Sequence, residues 1–214
     1  FHRTIQRSFN LLNVISGDFI SKSEKRFNSF VFNLNTYFEL YTLNEEKNVL
    51  KYIIRQPFFS KVRCICKGPR NNSKAIDTFY AVRAHDILRF QFSEEERIFI
   101  ATEKIKLPSL CNSPDFIFYS SKNNTMFVSC CHGGMCGIQF NTCDDADGLS
   151  EAKNNYNVIF VEKNCNVVIQ AFSINQDIVA RMEHMKTLTL YNTKTFSKEM
   201  ELSIAFDCVF PVGE

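Results

Sequence analysis

Residues 1–19, FHRTIQRSFNLLNVISGDF, decide how the rest of the chain is read. Ile5, Phe9 and Leu12 fall at i, i+4 and i+7, and Leu11 and Ile15 widen the apolar stripe. That spacing predicts an amphipathic helix over about residues 3–15, stopped at Gly17-Asp18. Its polar residues include His2, Arg3, Gln6, Arg7, Asn10 and Asn13, with no Asp or Glu before Asp18. A face of two Arg, one His and neutral amides suits a solvated surface. The other reading is a phosphate backbone that is touched without reading bases, which composition alone favours less than the solvated face.

The bulk composition narrows the setting. Of 214 residues, 45% are apolar, which excludes a mainly disordered chain. Phe is the favoured large apolar residue, with 22 copies and no Trp, and it packs without needing a hydrogen-bond partner. The net charge is only +2, so any basic surface is local. The sequence shows neither an apolar run of about 18 residues nor a signal peptide, so no membrane partner is expected. The nine cysteines are odd in number and include the adjacent Cys130 and Cys131. Both features fit a full disulfide framework poorly and point to a reducing compartment.

Beyond residue 19 the pattern turns to strands. SFVFNLN (29–35) alternates Phe30, Phe32 and Leu34 against Val31, Asn33 and Asn35, the period of a half-buried strand. YFELYTL and VLKYII flank NEEKN as an antiparallel hairpin, and Pro57 breaks the ladder. KGPRNNSK (67–74) reads as a loop, and DTFYAVRAHDILRFQF as two strands. SEEERIFIATEKIKLPSLCNSPDF reads as an extended connector. Further strands are DFIFYS, MFVSCC, CGIQFNT, YNVIFVE, NVVIQAF, KTLTLYN and MELSIAF, with His132-Gly133-Gly134 at a hairpin tip. QDIVARMEHM places Ile178, Met182 and Met185 at helical spacing. The expectation is an α+β, β-rich chain in two similar halves: domains at 1–93 and 116–214, joined by a connector at 94–115.

Motifs that carry chemistry are weak. Cys131, His132, Cys136 and Cys143 offer four soft ligands, but no second tight pair follows, so the spacing argues for buried or idle thiols rather than zinc. CDDADG resembles half a calcium loop, with Cys143 in place of the first Asp and Asn154 in place of the bidentate Glu. No nucleophile elbow, P-loop or dinucleotide fingerprint occurs. Asp144 and Asp145 lack an apolar setting that would split their pKa values. The expectation is no metal, no cofactor, no catalytic residues and no enzyme activity.

The order of helix, strands and LNEEKNVLKYIIRQPFF resembles the first domain of a DNA sliding clamp of the proliferating-cell-nuclear-antigen type. YFELYTLNEEKNVLKYIIRQPFFSKV looks closest to the tail-bearing subunit of the nine-one-one checkpoint clamp, and AHDILRFQFSEEERIFIATEKIKLPSLCNSPDF resembles its last first-domain strand and connector. NNTMFVSCCHGGMCGIQF and KEMELSIAF resemble strands of the second domain. The resemblance implies sheets outside and helices lining a channel that encircles duplex DNA. It implies His2, Arg3, Gln6, Arg7 and Asn10 facing DNA, and Ile98, Phe99, Ile100 and Leu107 flanking a pocket for partner peptides. It also implies a nuclear location, a heterotrimeric ring with two other clamp subunits, and a role in the DNA damage checkpoint, cell cycle and DNA repair. Partners would then include a clamp loader and checkpoint or repair proteins. The alternative is part of a β-propeller serving as a protein-interaction scaffold, since TLTLYNTKTFSKEMELSIAF has the strand-turn-strand look of a blade. A third reading is a secreted β-domain with disulfides, which the state of the thiols separates from the other two.

Overall fold

The computed structural model describes residues 11–20, 29–44, 46–58, 60–71, 76–111, 114–141, 156–163, 168–184 and 187–203. Sixteen strands make up four antiparallel sheets among these residues, each sheet following chain order. The first holds β1 (Asn13–Gly17), β2 (Ser29–Asn33), β3 (Tyr37–Asn44) and β4 (Val49–Pro57). The second holds β5 (Ile65–Asn71), β6 (Ile76–Val82), β7 (Asp86–Ser93) and β8 (Ile98–Lys106). The third holds β9 (Pro114–Ser120), β10 (Thr125–Cys130), β11 (Gly134–Phe140) and β12 (Tyr156–Lys163). The fourth holds β13 (Val168–Ser173), β14 (Ile178–Glu183), β15 (Thr187–Asn192) and β16 (Lys198–Ser203). The one helical element among the described residues is a 3-10 turn, Ser109–Cys111.

The period-2 alternation of the strands explains how the sheets stack. In β6, Phe79 and Ala81 join a cluster with Val31, Phe38 and Leu40 of the first sheet, while Tyr80 and Val82 join one with Ile117, Met126 and Val128 of the third. β10 repeats the device: Met126 and Val128 face the second sheet, and Phe127 packs with Val179, Tyr191 and Phe196 of the fourth. The two middle sheets are therefore apolar on both faces, and every residue of β6 and β10 is buried. Strands β1, β5, β9 and β13 lie next to one another in succession and form the inner wall, while β4 and β8 meet on the outside. Four-stranded meanders stacked face to face about an inner row of first strands are the blades of a β-propeller.

This architecture corrects the clamp reading. Asn13, Val14 and Ile15, expected at the end of a helix, pair with Asn33, Phe32 and Val31 as β1. Residues 3–10 lie outside the described residues, as do His2, Arg3, Gln6, Arg7 and Asn10. QDIVARMEHM, read as helical, contains β14, because Val179, Ala180, Arg181, Met182 and Glu183 are all buried and burial on both faces erases the alternation. The loop expected at 67–74 contains the end of β5, with a bulge between Lys67 and Arg70 that accommodates Pro69. With all-β blades, and no α-helix among the described residues to line a channel, the α+β clamp fold, the ring of clamp subunits and the DNA-encircling function do not hold.

Polar side chains tie the blades together. Asp77 accepts from the Asp18 amide at 2.7 Å and pairs with Lys67 at 2.7 Å, while Asn13 donates to the Ile65 carbonyl at 2.7 Å. The Gln56 amide brackets the backbone of Phe99, donating to its carbonyl and accepting its N–H. The Lys106 amide donates to the Tyr156 hydroxyl at 3.0 Å. Asn123 donates to Thr193 at 2.9 Å and Lys122 meets Asp177 at 2.6 Å. Tight turns use the left-handed region at Asn35, Asn48, Asn124 and Gly133 (φ 71°, 48°, 51° and 91°), residue types that adopt it at low cost.

Candidate interaction surface

Strand direction sorts the connections into two ends. The turns before every odd-numbered strand gather at one end of the arc, and those before every even-numbered strand gather at the other. At the first end, Val62 N donates to the Asn35 carbonyl, Leu107 N to His85 and Val168 N to Cys131, so connections between blades are fastened to turns within blades. Three of the four histidines stand in corresponding turns there: His85 after β6, His132 after β10 and His184 after β14, all exposed. Lys61, Arg63 and Lys106 are exposed at the same end.

A buried acid organises part of this rim. Asp86 opens β7 and accepts two hydrogen bonds from Arg83, both at 2.6 Å, with Lys104 at 3.1 Å. Burial alone would raise its pKa; the Arg83 and Lys104 contacts outweigh that and hold the carboxyl below its usual range. Asp115, near the start of β9, behaves oppositely. Burial pushes it up, against hydrogen bonds from its own and the Cys131 amide and the fields of Arg63 and His132. A cavity of about 220 Å³ opens beside it between β9, β10 and β13, with Asp115, Phe116, Ser129, Val168 and Gln170 among its walls. The buried Ser129 hydroxyl has no hydrogen-bond partner.

The opposite end carries both signs, with Lys47, Arg97, Lys122 and Lys194 exposed in its turns. Glu95 and Glu96 are exposed in the turn between β7 and β8 beside half-buried Glu94, and Glu46 is exposed between β3 and β4. The first end thus gathers exposed Lys, Arg and His side chains, while the second mixes both signs.

The residues expected to form a partner pocket are split by the strand. Phe99 is 3% exposed and packs in the core between the first two blades, whereas Ile98 and Ile100 point to the other side of β8 at 38% and 40% exposure. Leu107 lies past the end of β8 and packs against the core between the second and third blades. The expected connector at 94–115 contains β8, paired along its length with β7.

The cysteines make a third group. Cys64, Cys66, Cys111, Cys130 and Cys136 are buried free thiols of the core between the second and third blades, and Cys131 is a half-buried free thiol at the rim. Burial raises the Cys66 thiol to about 12 and pushes Cys64 well up. Cys111 accepts thiol hydrogen bonds from Cys130 and Cys136, which lower it and raise the two donors. No disulfide joins the six described cysteines. Among the described residues no group of three or more His, Cys, Asp or Glu side chains is placed to hold a metal ion. No described helix is long and apolar enough to cross a membrane. Three of the rim positions, His85, His132 and His184, were visible as single residues; only the topology puts them at one end.

No protein-family pattern and no curated protein sequence matches this chain. Solved structures do. The β-propeller domain of Cps50 (Swd1) from Myceliophteria thermophila aligns over 82% of this chain at 13% identity with a TM-score of 0.56. BBS1N, solved in complex with ARL6DN, aligns over 91% at 10% identity with a TM-score of 0.63. A Lactobacillus plantarum protein aligns over 82% at 8% identity with a TM-score of 0.58. This chain spans 55%, 55% and 54% of those three chains, so it is about half their length. At such identities the likeness shows the fold alone. The neighbours agree with the blade topology and not with a sliding clamp: this chain is a four-bladed β-propeller arc.

Proposed function

We propose that this chain is a protein-interaction scaffold that docks an acidic segment of a partner protein on its basic turn end. The cluster of exposed Lys, Arg and His side chains at one end carries the reading. Lys61, Arg63 and Lys106 are exposed with His85, His132 and His184 at one end, whereas the other mixes Glu46, Glu95 and Glu96 with Lys47, Arg97, Lys122 and Lys194. The rim is held by backbone bonds between turns and blade connections, so little ordering is lost on binding. A basic rim of this kind steers an acidic partner toward one end. The BBS1N structure, which shares the fold, contains a second protein, ARL6DN, and this supports a docking role. The role assigned is binding, with no catalytic step.

The test is fluorescence anisotropy with a labelled Glu/Asp-rich peptide and a Lys-rich control of equal length. The wild-type chain is expected to prefer the acidic peptide and to release it as salt rises. The triple reversal K61E/R63E/K106E is expected to lose about tenfold or more in affinity, while E94K/E95K/E96K at the far end loses none. Equal binding by the wild type and the first triple variant would overturn the reading.

A further inference from the structure

The cavity of about 220 Å³ lies where the third blade meets the inner edge of the fourth. Across the third blade, Phe116, Ser129 and Met135 stand in one row, on the face turned to the fourth blade. Across the fourth blade, Ala171, Arg181 and Thr189 stand in one row. Arg181 reaches back from it to Met135, so the two rows face each other. Phe116, Ser129 and Ala171 line the cavity, with Val168 and Gln170 along β13. The ladder shifts register between Val168 and Gln170, so β13 is bulged where it borders the space.

Two buried donors in these rows are unused. Ser129 is 1% exposed and its hydroxyl makes no hydrogen bond. Arg181, one strand in from Ala171, is fully buried and donates to the Gly133 carbonyl, the Met135 sulfur and the Tyr191 side chain. Its Nε–H has no acceptor. The carbonyl and the thioether are neutral, and burial raises the Tyr191 phenol, which keeps it neutral too. Among the described residues no carboxylate pairs with this guanidinium. Glu183 lies two residues along the same strand and is 3% exposed, yet makes no ion pair with it. A buried charge without a partner is costly, and an anion that reaches it removes that cost.

The surroundings select the anion. One guanidinium balances one negative charge, and Glu183 and Asp115 already place acid nearby, which disfavours a dianion such as a phosphate monoester. Asp115 itself acts on Cys64 and Cys130, which belong to the core on the other side of the third blade, so its carboxyl is turned from the cavity. The Ser129 O–H, the Arg181 Nε–H and the Gln170 amide are few donors, enough for the two oxygens of a carboxylate. Phe116, Val168 and Ala171 add apolar wall for a short tail.

We propose that this cavity binds a small carboxylate, its oxygens on the Ser129 hydroxyl and the Arg181 guanidinium and its apolar tail against Phe116 and Val168. The site lies between two blades rather than on the basic rim, and it goes beyond the docking role. Its ligand supplies the counter-charge that Arg181 lacks and joins the third blade to the fourth.

The probe is sodium butyrate added to the 214-residue chain, with sodium chloride at equal ionic strength and neutral butyramide as controls. Line broadening of carboxyl-labelled butyrate by NMR reads binding, and the urea midpoint reads linked stability. The wild type is expected to bind butyrate saturably and to unfold at higher urea in its presence, with neither effect from chloride or butyramide. Ser129→Ala removes a hydroxyl that has no partner, so it is expected to keep the fold and to bind about tenfold more weakly. Arg181→Met is expected to bind no butyrate and to keep or raise its own midpoint without ligand. Circular dichroism checks both variants; should Arg181→Met lose its strands, Ser129→Ala and butyramide still decide. No saturable binding by the wild type would overturn the proposal. So would undiminished binding by Ser129→Ala or Arg181→Met, or butyramide binding as well as butyrate, which would leave only an apolar or water-filled gap. Displacement of butyrate by the Glu/Asp-rich peptide would support the site with a partner's acidic side chain as the source. Saturable butyrate that the peptide does not displace would support it with a free carboxylate. The docking reading is judged separately, by K61E/R63E/K106E.

Discussion

Gly137 sets the spacing between the third and fourth blades, and substituting it tests the blade assignment directly. It lies on β11, where a Cβ would fall 2.6 Å from three atoms of the Phe196 ring, Cδ1, Cδ2 and Cε1. Carbon atoms need about 3.5–4.0 Å. The ring has nowhere to go. Phe196 is 1% exposed and stacks on Phe127 (6.2 Å, 20°) and Phe160 (6.0 Å, 12°), and its backbone is held at a φ of 56°. The clash is with the body of a ring rather than a flexible tip, so Gly137→Ala is expected at the upper end of overpacking costs, about 3 kcal/mol. Phe196→Ala removes the ring and leaves a cavity, at about 3–5 kcal/mol. With the ring gone, the methyl added by Gly137→Ala has room, and a Gly-to-Ala change in a strand is then neutral or slightly favourable. The double variant should therefore cost no more than Phe196→Ala alone, a coupling of about 3 kcal/mol. Urea unfolding of the four proteins, compared through their midpoints at constant slope, measures it. Costs that add to within about 0.5 kcal/mol would refute the close approach of β11 to the β15–β16 turn.

Three further outcomes follow from buried polar groups. The Tyr80 hydroxyl is buried with no partner, so Tyr80→Phe is expected to leave stability unchanged or raise it by about 1 kcal/mol in the same urea assay; a loss would show a hidden partner. The Arg181 side chain is fully buried. It donates to the Gly133 carbonyl at 2.8 Å, the Met135 sulfur at 3.0 Å and the Tyr191 side chain, with its guanidinium 5.9 Å from the Tyr191 ring and its Nε unpartnered. Replacement by Met is expected to raise stability by about 1–4 kcal/mol, and a lower urea midpoint would contradict this. Asp86 has a folded pKa below its unfolded value, so its contribution is present above the unfolded pKa near 4 and is lost as pH falls through the lower folded value. Asp86→Asn is expected to cost about 1–3 kcal/mol at neutral pH and to flatten the decline below pH about 4. An unchanged acid limb of the stability curve would count against the Arg83–Asp86–Lys104 cluster as its source.

Much of the strand pattern was legible locally. Phe30 and Phe32 against Val31 marked β2, and the NEEKN turn marked the β3–β4 hairpin. His132-Gly133-Gly134 marked the tip where Gly133 adopts a φ of 91°. Local signals failed in two ways. In β14 both faces are buried, so Ile178 and Met182 fell at a helical interval by coincidence and nothing in the pattern opposed it. At Asn13, Val14 and Ile15, an intrinsic preference for helix or strand was overridden by pairing with Asn33, Phe32 and Val31, partners about twenty residues away.

The sequence by itself determined the β-rich character, the Phe-dominated core and the absence of recognisable catalytic motifs, because composition and period-2 alternation are properties of neighbouring residues. Only the tertiary structure decided that sixteen strands group into four blades and that three histidines from separate turns share one rim. Those are facts of long-range registry. A strand buried on both faces carries no local record of which neighbour lies on each side, so the stacking of blades, and with it every candidate surface, emerges only when the sheets are in place.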